Sequence, residues 1–183
     1  MMTTEPIVES GLTFGPFPEG YCFYIEKSDV YQQINKQVQR INQENKEGVK
    51  IAEFLLLRDN EDFPTIWIVE AKSSAPHPKS KDNLDKYIKD ICDKCLNSLI
   101  LTSSLKRNPN ANDKLSENFK QIDIASVQFV FTLVINGFKE EWITDLQDAL
   151  RIALKPTIIK WALLSKNILV LNEDGARHKK LIL

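Results

Sequence analysis

Three residues on two neighbouring apolar runs have the types and spacing to do chemistry together: Glu53, Glu70 and Lys72. The first run reads Val49-Lys50-Ile51-Ala52-Glu53-Phe54-Leu55-Leu56-Leu57, the second Thr65-Ile66-Trp67-Ile68-Val69-Glu70-Ala71-Lys72. Both are apolar enough to be buried strands, and an unpaired charge in such a strand is costly. Arg58 to Pro64 is polar and carries Asn60, Asp62 and Pro64, which marks the turn of a hairpin. A turn centred between Glu61 and Asp62 sets Glu53 directly opposite Glu70, with β-carbons roughly 5 Å apart. Glu70 and Lys72, two residues apart, share that face at roughly 6–7 Å. Two carboxylates repel, and a divalent cation relieves the repulsion. Magnesium takes oxygen ligands and keeps several waters, so one or two carboxylates suffice. A lysine beside them can neutralise a phosphate or orient a nucleophile. An ordinary cross-strand Lys–Glu pair is the competing explanation.

Glu-x-Lys closing an apolar strand, with another acid on the preceding strand, resembles the PD-(D/E)xK nuclease superfamily. The resemblance implies a restriction-endonuclease-like α/β core, in which a central mixed sheet with a hairpin carrying the site is flanked by helices on both faces. It implies Glu53 and Glu70 as metal-binding acids, the Ala71 carbonyl as a further ligand and Lys72 as the catalytic lysine. The cofactor would be Mg²⁺, with Mn²⁺ able to substitute, and the reaction hydrolysis of phosphodiester bonds, in DNA rather than RNA. The family usually has Asp at the first acid, often after Pro, where this chain has Ala52-Glu53. That departure favours a second expectation: a catalytically inactive member of the fold, serving as a binding or regulatory subunit of a larger nucleic-acid-processing or defence complex. Either form could work as a homodimer or with a partner subunit. The family sometimes draws a further acid from a helix before the hairpin. Glu26 and Asp29 stand at the start of such a helix, where they could equally complement its dipole.

The charge distribution bears on partners. The chain has 183 residues and a formal net charge of −1. Residues 1–71 carry 6 basic against 12 acidic groups, residues 72–107 carry 8 against 4, and residues 108–183 carry 10 against 9. The basic stretch starts at Lys72. Ser73, Ser74, Lys79 and Lys81 are candidate phosphate contacts, with Lys86, Lys89, Lys94, Lys106 and Arg107 behind them. Asp82, Asp85, Asp90 and Asp93 are interspersed, as on a solvated helix face.

Cys22, Cys92 and Cys95 make no disulfide framework and fit a reducing, cytoplasmic setting. Cys92-Asp93-Lys94-Cys95 lies inside a helical repeat and lacks the second pair a structural zinc site needs. Met1 to Gly15 shows no basic start with an apolar core, and no apolar run is long enough for a membrane span.

The remaining elements must position the hairpin. Residues 1–20, rich in Pro and Gly, are expected to form a surface segment, and residues 21–183 one nuclease-like domain. Ser28 caps a helix to about Asn42. A second helix runs from about Asp82 to Leu105, with Leu84, Tyr87, Ile88, Ile91, Cys95 and Leu99 on one side. Lys106 to Asp123 reads as a polar connection and Ser126 to Phe138 as a core strand. Lys139 to Leu154 is an amphipathic helix, followed by a short helical piece near Thr157–Leu164. Ile168 to Leu171 is a last strand, Asn172 to Gly175 a turn, and Ala176 to Leu183 a solvated tail. If Glu53 is the first acid, Glu53→Gln abolishes cleavage and Asp62→Asn leaves it intact in a nuclease assay; the reverse pattern places the hairpin in another register.

Overall fold

The computed structural model describes residues 2–42, 47–59, 63–77, 80–107 and 115–183. In chain order the elements are β1 (Ile7–Glu9), β2 (Leu12–Phe14), β3 (Cys22–Phe23), α1 (Asp29–Ile41), β4 (Phe54–Asp59), β5 (Pro64–Lys72) and α2 (Lys81–Arg107). They continue with α3 (Glu117–Gln121), β6 (Gln128–Ile135), α4 (Glu140–Ala153), α5 (Lys155–Lys160), a 3-10 turn at Ser165–Asn167, β7 (Ile168–Leu171) and α6 (Glu173–His178). Five strands form one mixed sheet in the order β3-β4-β5-β6-β7. The β3/β4 and β4/β5 pairs are antiparallel, and β6 runs parallel to both β5 and β7. The fold is therefore α/β, a five-stranded mixed sheet flanked by helices.

The hairpin has the expected register: Asp59 opposes Pro64, Leu57 opposes Ile66 and Phe54 opposes Val69. Asn60, Glu61 and Asp62, where its turn was expected, lie outside the described residues. The first strand is shorter than the apolar run. Residues 50–52 leave the sheet, because the Lys50 and Ala52 backbone finds partners on α2 instead. The Ala52 N–H donates to Ser98 Oγ at 3.0 Å, and Asn97 Nδ2 donates to the Lys50 carbonyl at 2.8 Å. Ala52, expected on the far face with Phe54, joins Ile51 on the helix side.

Both faces of the hairpin are covered. On one, Leu55, Leu57, Ile66 and Ile68 meet Ile91, Cys95 and Leu99 of α2 and Leu146 and Leu150 of α4. On the other, Phe54, Leu56, Trp67, Val69 and Ala71 meet Ile7, Leu12, Phe14 and Phe17 of the amino-terminal segment and Ala176, Leu181 and Ile182 of the carboxy-terminal one. Residues 1–20 are thus not merely a surface segment. Ser10 and Gly11, both at positive φ, make the two-residue turn that β1 and β2 need, and the hairpin covers apolar sheet that water would otherwise wet.

The carboxy-terminal end also departs from expectation. Asn172 accepts from the Gly175 N–H at 2.9 Å and so caps α6, where the sequence suggested a turn. The last residues are anchored rather than solvated, since the Gly15 N–H donates to the Leu181 carbonyl at 2.9 Å. The helical boundaries elsewhere agree with the reading to within a few residues, and Ser28 caps α1 through the Tyr31 N–H. No helix among the described residues is long and apolar enough to cross a membrane. Phe14 is fully buried and meets Phe54 edge-on at 5.2 Å, so Phe14→Ala should cost about 3–5 kcal/mol in urea unfolding. A loss under about 1 kcal/mol would show that the amino-terminal hairpin is not part of the core.

Candidate functional site

Glu53 sits at the point where the chain peels away from the sheet. Its N–H donates to the Val69 carbonyl at 3.0 Å, and its own carbonyl accepts from the Glu26 N–H at 3.2 Å. The side chain is 6% exposed, and Glu70, one residue beyond the last β4/β5 pair, is 0% exposed. Lys72, two residues on, keeps a quarter of its side chain in solvent. The structure thus brings together the three residues singled out from the sequence. Ala71 lies between them with its side chain on the opposite face, beyond the Phe54–Val69 pair that ends the β4 ladder.

What joins the two acids is a fourth residue. Lys94 Nζ of α2 donates to Glu70 Oε1 at 2.8 Å and lies 3.9 Å from Glu53 Oε1. Lys72 Nζ reaches the same Glu70 oxygen at 3.1 Å and Asp90 Oδ2 at 3.7 Å. Lys50 then pairs with Asp90 Oδ1 at 2.8 Å. The second carboxylate oxygen, Oε2, of both Glu53 and Glu70 is buried without a hydrogen-bond partner. Lys94 was among the basic residues of the segment after Lys72, but as a phosphate contact. Its spacing of three from Ile91 and four from Ser98 marks it as a member of the buried side of α2.

A second omission is Glu9. The amino-terminal hairpin delivers its carboxylate to those of Glu26 and Glu53, with one oxygen from each of the three within 4.8 Å of the others. Tyr24 OH donates to Glu9 Oε1. Glu26, the candidate additional acid, is therefore at the site. Asp29, the other candidate, lies in the first turn of α1. Nothing in the pattern around Glu9 marks it, because its role depends on the hairpin folding over the sheet.

The electrostatics follow from burial. Loss of hydration pushes the Glu53 carboxyl up to about 8, helped by its hydrogen bond to Glu26 and by the charges of Glu70 and Glu26, and opposed by Lys94. Burial also raises Glu70, opposed by Lys94 and Lys72. Burial alone would lower Lys94, but the charge of Glu70 and their hydrogen bond reverse this, and the ammonium stays protonated. Asp90 is held below its ordinary value despite burial, chiefly by the hydrogen bond from Lys50.

Beside the buried acids, and reached from them by Lys72, lies a cleft of about 800 Å³ lined by Lys50, Lys72, Ser73, Ser74, Lys86, Tyr87 and Lys89 and by the acids Glu47, Asp90 and Asp93, among others. Ser73 and Ser74, the candidate phosphate contacts, are among its lining residues. Lys81 is exposed at the start of α2 but does not line it, and Lys79 lies outside the described residues. Tyr87, expected only as an apolar contact of α2, lines the cleft with a buried hydroxyl that has no hydrogen-bond partner. Lys106 is taken out of contention, since its ammonium donates to the Phe119 and Lys120 carbonyls at 2.9 and 2.6 Å and so closes the end of α3.

A smaller cleft of about 240 Å³ reaches Glu26 and Lys94 from the other side, and both clefts touch Glu47, Gly48 and Lys50. Residues 47–50 are tied to α1 by the Val49 N–H to Asn35 Oδ1 at 2.8 Å and by Tyr31 OH to the Val49 carbonyl at 2.8 Å. A β-carbon at Gly48 would fall 1.9 Å from Asn35 Oδ1, so a larger residue there would displace the side chain that holds Val49.

The cysteines take no part. Cys95 is buried in the core, and burial raises the Cys92 thiol to about 11 and the Cys22 thiol to about 12, which makes both poor nucleophiles. His77 stacks edge-on against Trp142 at 4.6 Å.

No family model matches this chain, and neither a curated protein nor a solved structure matches it.

The raised Glu53 carboxyl sets a pH signature. The folded state holds a proton that the unfolded state, at its ordinary value of 4.5, releases. The contribution of Glu53 to stability is therefore fully present below about pH 4.5 and is lost as pH rises toward about 8. Metal-free melts between pH 5 and 8.5 should show this decline, and Glu53→Gln should flatten it. A melting temperature that rises over that range in both proteins would contradict the assignment.

Proposed function

We propose that the chain is a metal-dependent nuclease of the PD-(D/E)xK type that hydrolyses phosphodiester bonds, in DNA rather than RNA. The observation that carries the reading is the convergence of Glu53, Glu70 and Lys72, with one oxygen of each carboxylate buried and unpartnered and with Lys72 reaching a cleft that Lys50, Lys86 and Lys89 also line. Buried oxygens without donors fit a hard cation, and Glu53 and Glu70, with the Ala71 carbonyl, would hold Mg²⁺ or Mn²⁺. A bound cation of this kind makes water more acidic and offsets charge growing at phosphorus. Further support comes from the restriction-endonuclease-like order of elements: a helix, an antiparallel hairpin carrying the site, a helix over the sheet and then a parallel strand.

The chain's own residues do the rest. Lys72 stands between the buried acids and the cleft, where its ammonium can meet a phosphate oxygen while Lys94 still neutralises Glu70. Ser73 and Ser74 offer hydroxyls, and Lys86 and Lys89 bring positive charge to the same cleft for the flanking phosphates.

The second reading, a catalytically inactive subunit that binds nucleic acid or a partner, draws on a specific contact. The Lys94 ammonium lies 2.8 Å from Glu70 and 3.9 Å from Glu53, between the two acids that would share a cation.

The two readings separate in one assay: single- and double-stranded DNA and RNA incubated with Mg²⁺ or Mn²⁺, using wild type, Lys72→Ala and Lys94→Met. The nuclease reading expects cutting by wild type and a loss on the order of 10²–10³-fold in Lys72→Ala with the fold retained. Binding without cutting by wild type favours the inactive subunit, and cutting that appears in Lys94→Met would identify its ammonium as the block. Equal cutting by wild type and Lys72→Ala would refute the site.

A further inference from the structure

Glu53 faces two groups of charge. Toward α2 it meets Lys94 and Glu70, and toward the amino-terminal hairpin it meets Glu9 and Glu26. Glu70 is satisfied by two ammoniums, from Lys94 and Lys72, on one oxygen. Among the described residues no comparable cation serves the other group. Lys27 approaches Glu26 Oε2 only from solvent, at 3.9 Å and with most of its side chain exposed, where a pair contributes little. Four carboxyl groups thus share two close ammoniums, so full ionisation would leave two negative charges without a partner.

The cluster of acids alone would carry no conclusion, since exposed acidic groups gather without ligands. Here Glu53 is more than nine-tenths buried, its Oε2 has no hydrogen-bond partner, and its carboxylate lies with those of Glu9 and Glu26 inside a 4.8 Å span. Ionised carboxylates cannot donate to one another, so the cluster holds either a shared proton or a cation. We propose that Glu9, Glu26 and Glu53 form a divalent-cation site, to which the amino-terminal hairpin contributes Glu9. Oxygen donors alone and half-buried approaches from Glu9 and Glu26 suit a hard cation that keeps some of its water, such as Mg²⁺, Mn²⁺ or Ca²⁺. Tyr24 OH donates to Glu9 Oε1 and so orients the ligand, the role an outer hydrogen-bond partner plays at metal sites.

This site rests on the same unpartnered Glu53 oxygen as the nuclease centre proposed above, but takes Glu9 and Glu26 in place of Glu70 and does not require hydrolysis. Its occupant would hold residues 7–14 and the sheet in one arrangement, making the amino-terminal hairpin part of the centre.

The test is binding of Mn²⁺ alone at pH 8, followed by depletion of the free-ion EPR signal and by thermal melts. The proteins are wild type, Glu9→Gln, Glu26→Gln and Glu70→Gln. Glu9→Gln retains an acceptor for Tyr24, and Glu26→Gln gives the same reading if Glu9→Gln does not fold. The proposal expects saturable Mn²⁺ binding that raises the melting temperature of wild type. It expects affinity weakened at least roughly tenfold in Glu9→Gln and Glu26→Gln but retained in Glu70→Gln. No Mn²⁺ binding by wild type, or wild-type affinity in both Glu9→Gln and Glu26→Gln, overturns it and assigns the cluster to a shared proton. Binding lost in Glu70→Gln yet kept in Glu9→Gln also overturns it, while leaving the Glu53–Glu70 centre standing. Binding in the expected pattern with no cleavage of nucleic acid would retire the nuclease reading alone.

Discussion

The constraint on which the structure depends is the burial of Glu70 in the middle of an apolar sheet. A carboxylate with no exposure loses its hydration, and only close cations can offset that loss. Lys72, from the same strand, supplies one. Lys94, from a helix 24 residues away in sequence, supplies the other. The second contact ties α2 to β5, and α2 in turn draws the backbone of residues 50–52 off the sheet through Ser98 and Asn97. Glu53 is placed by that departure. The geometry of the site is thus a consequence of one buried charge finding its partners.

The same burial makes the site responsive to its surroundings. Glu53, Glu9 and Glu26 lie close enough that a proton or cation added at one changes the others. Lys72 and Lys94 differ in kind although both bond one oxygen of Glu70. Lys72 keeps contact with the open cleft, whereas Lys94 is mostly enclosed, so the first is suited to meeting a ligand and the second to holding charge in place. The strap at residues 47–50 divides the two approaches to these groups, held by Asn35 and Tyr31 of α1 and allowed to lie so close by Gly48.

Much of this was legible in the chain itself. Alternating apolar residues on either side of a polar turn gave the register that pairs Phe54 with Val69, and with it the approach of Glu53 to Glu70. Glu26 beside a helix start was visible for the same reason, being local. The role of Lys94 was half visible: helical spacing puts it on the buried side of α2, but its charge invites a solvent-facing assignment. Ser10-Gly11 between Ile-Val-Glu and Leu-Thr-Phe is a signal for a short hairpin, overshadowed by the prolines and glycines around it. The tail at 176–183 misled because four basic residues conceal Leu181 and Ile182, which the sheet buries.

By itself the sequence determined the strands, most of the helices, the register of the hairpin and the grouping of Glu53, Glu70 and Lys72. Those features depend on side-chain periodicity and on neighbours a few residues apart. Tertiary structure decided which cation lies between the acids, that Glu9 comes to meet them and that both chain ends cover the second face. These outcomes involve pairs such as Glu9 with Glu53, Lys94 with Glu70 and Phe14 with Ile182. Such contacts are set by which apolar surfaces must be covered and which buried charges must be offset, and no local pattern encodes either.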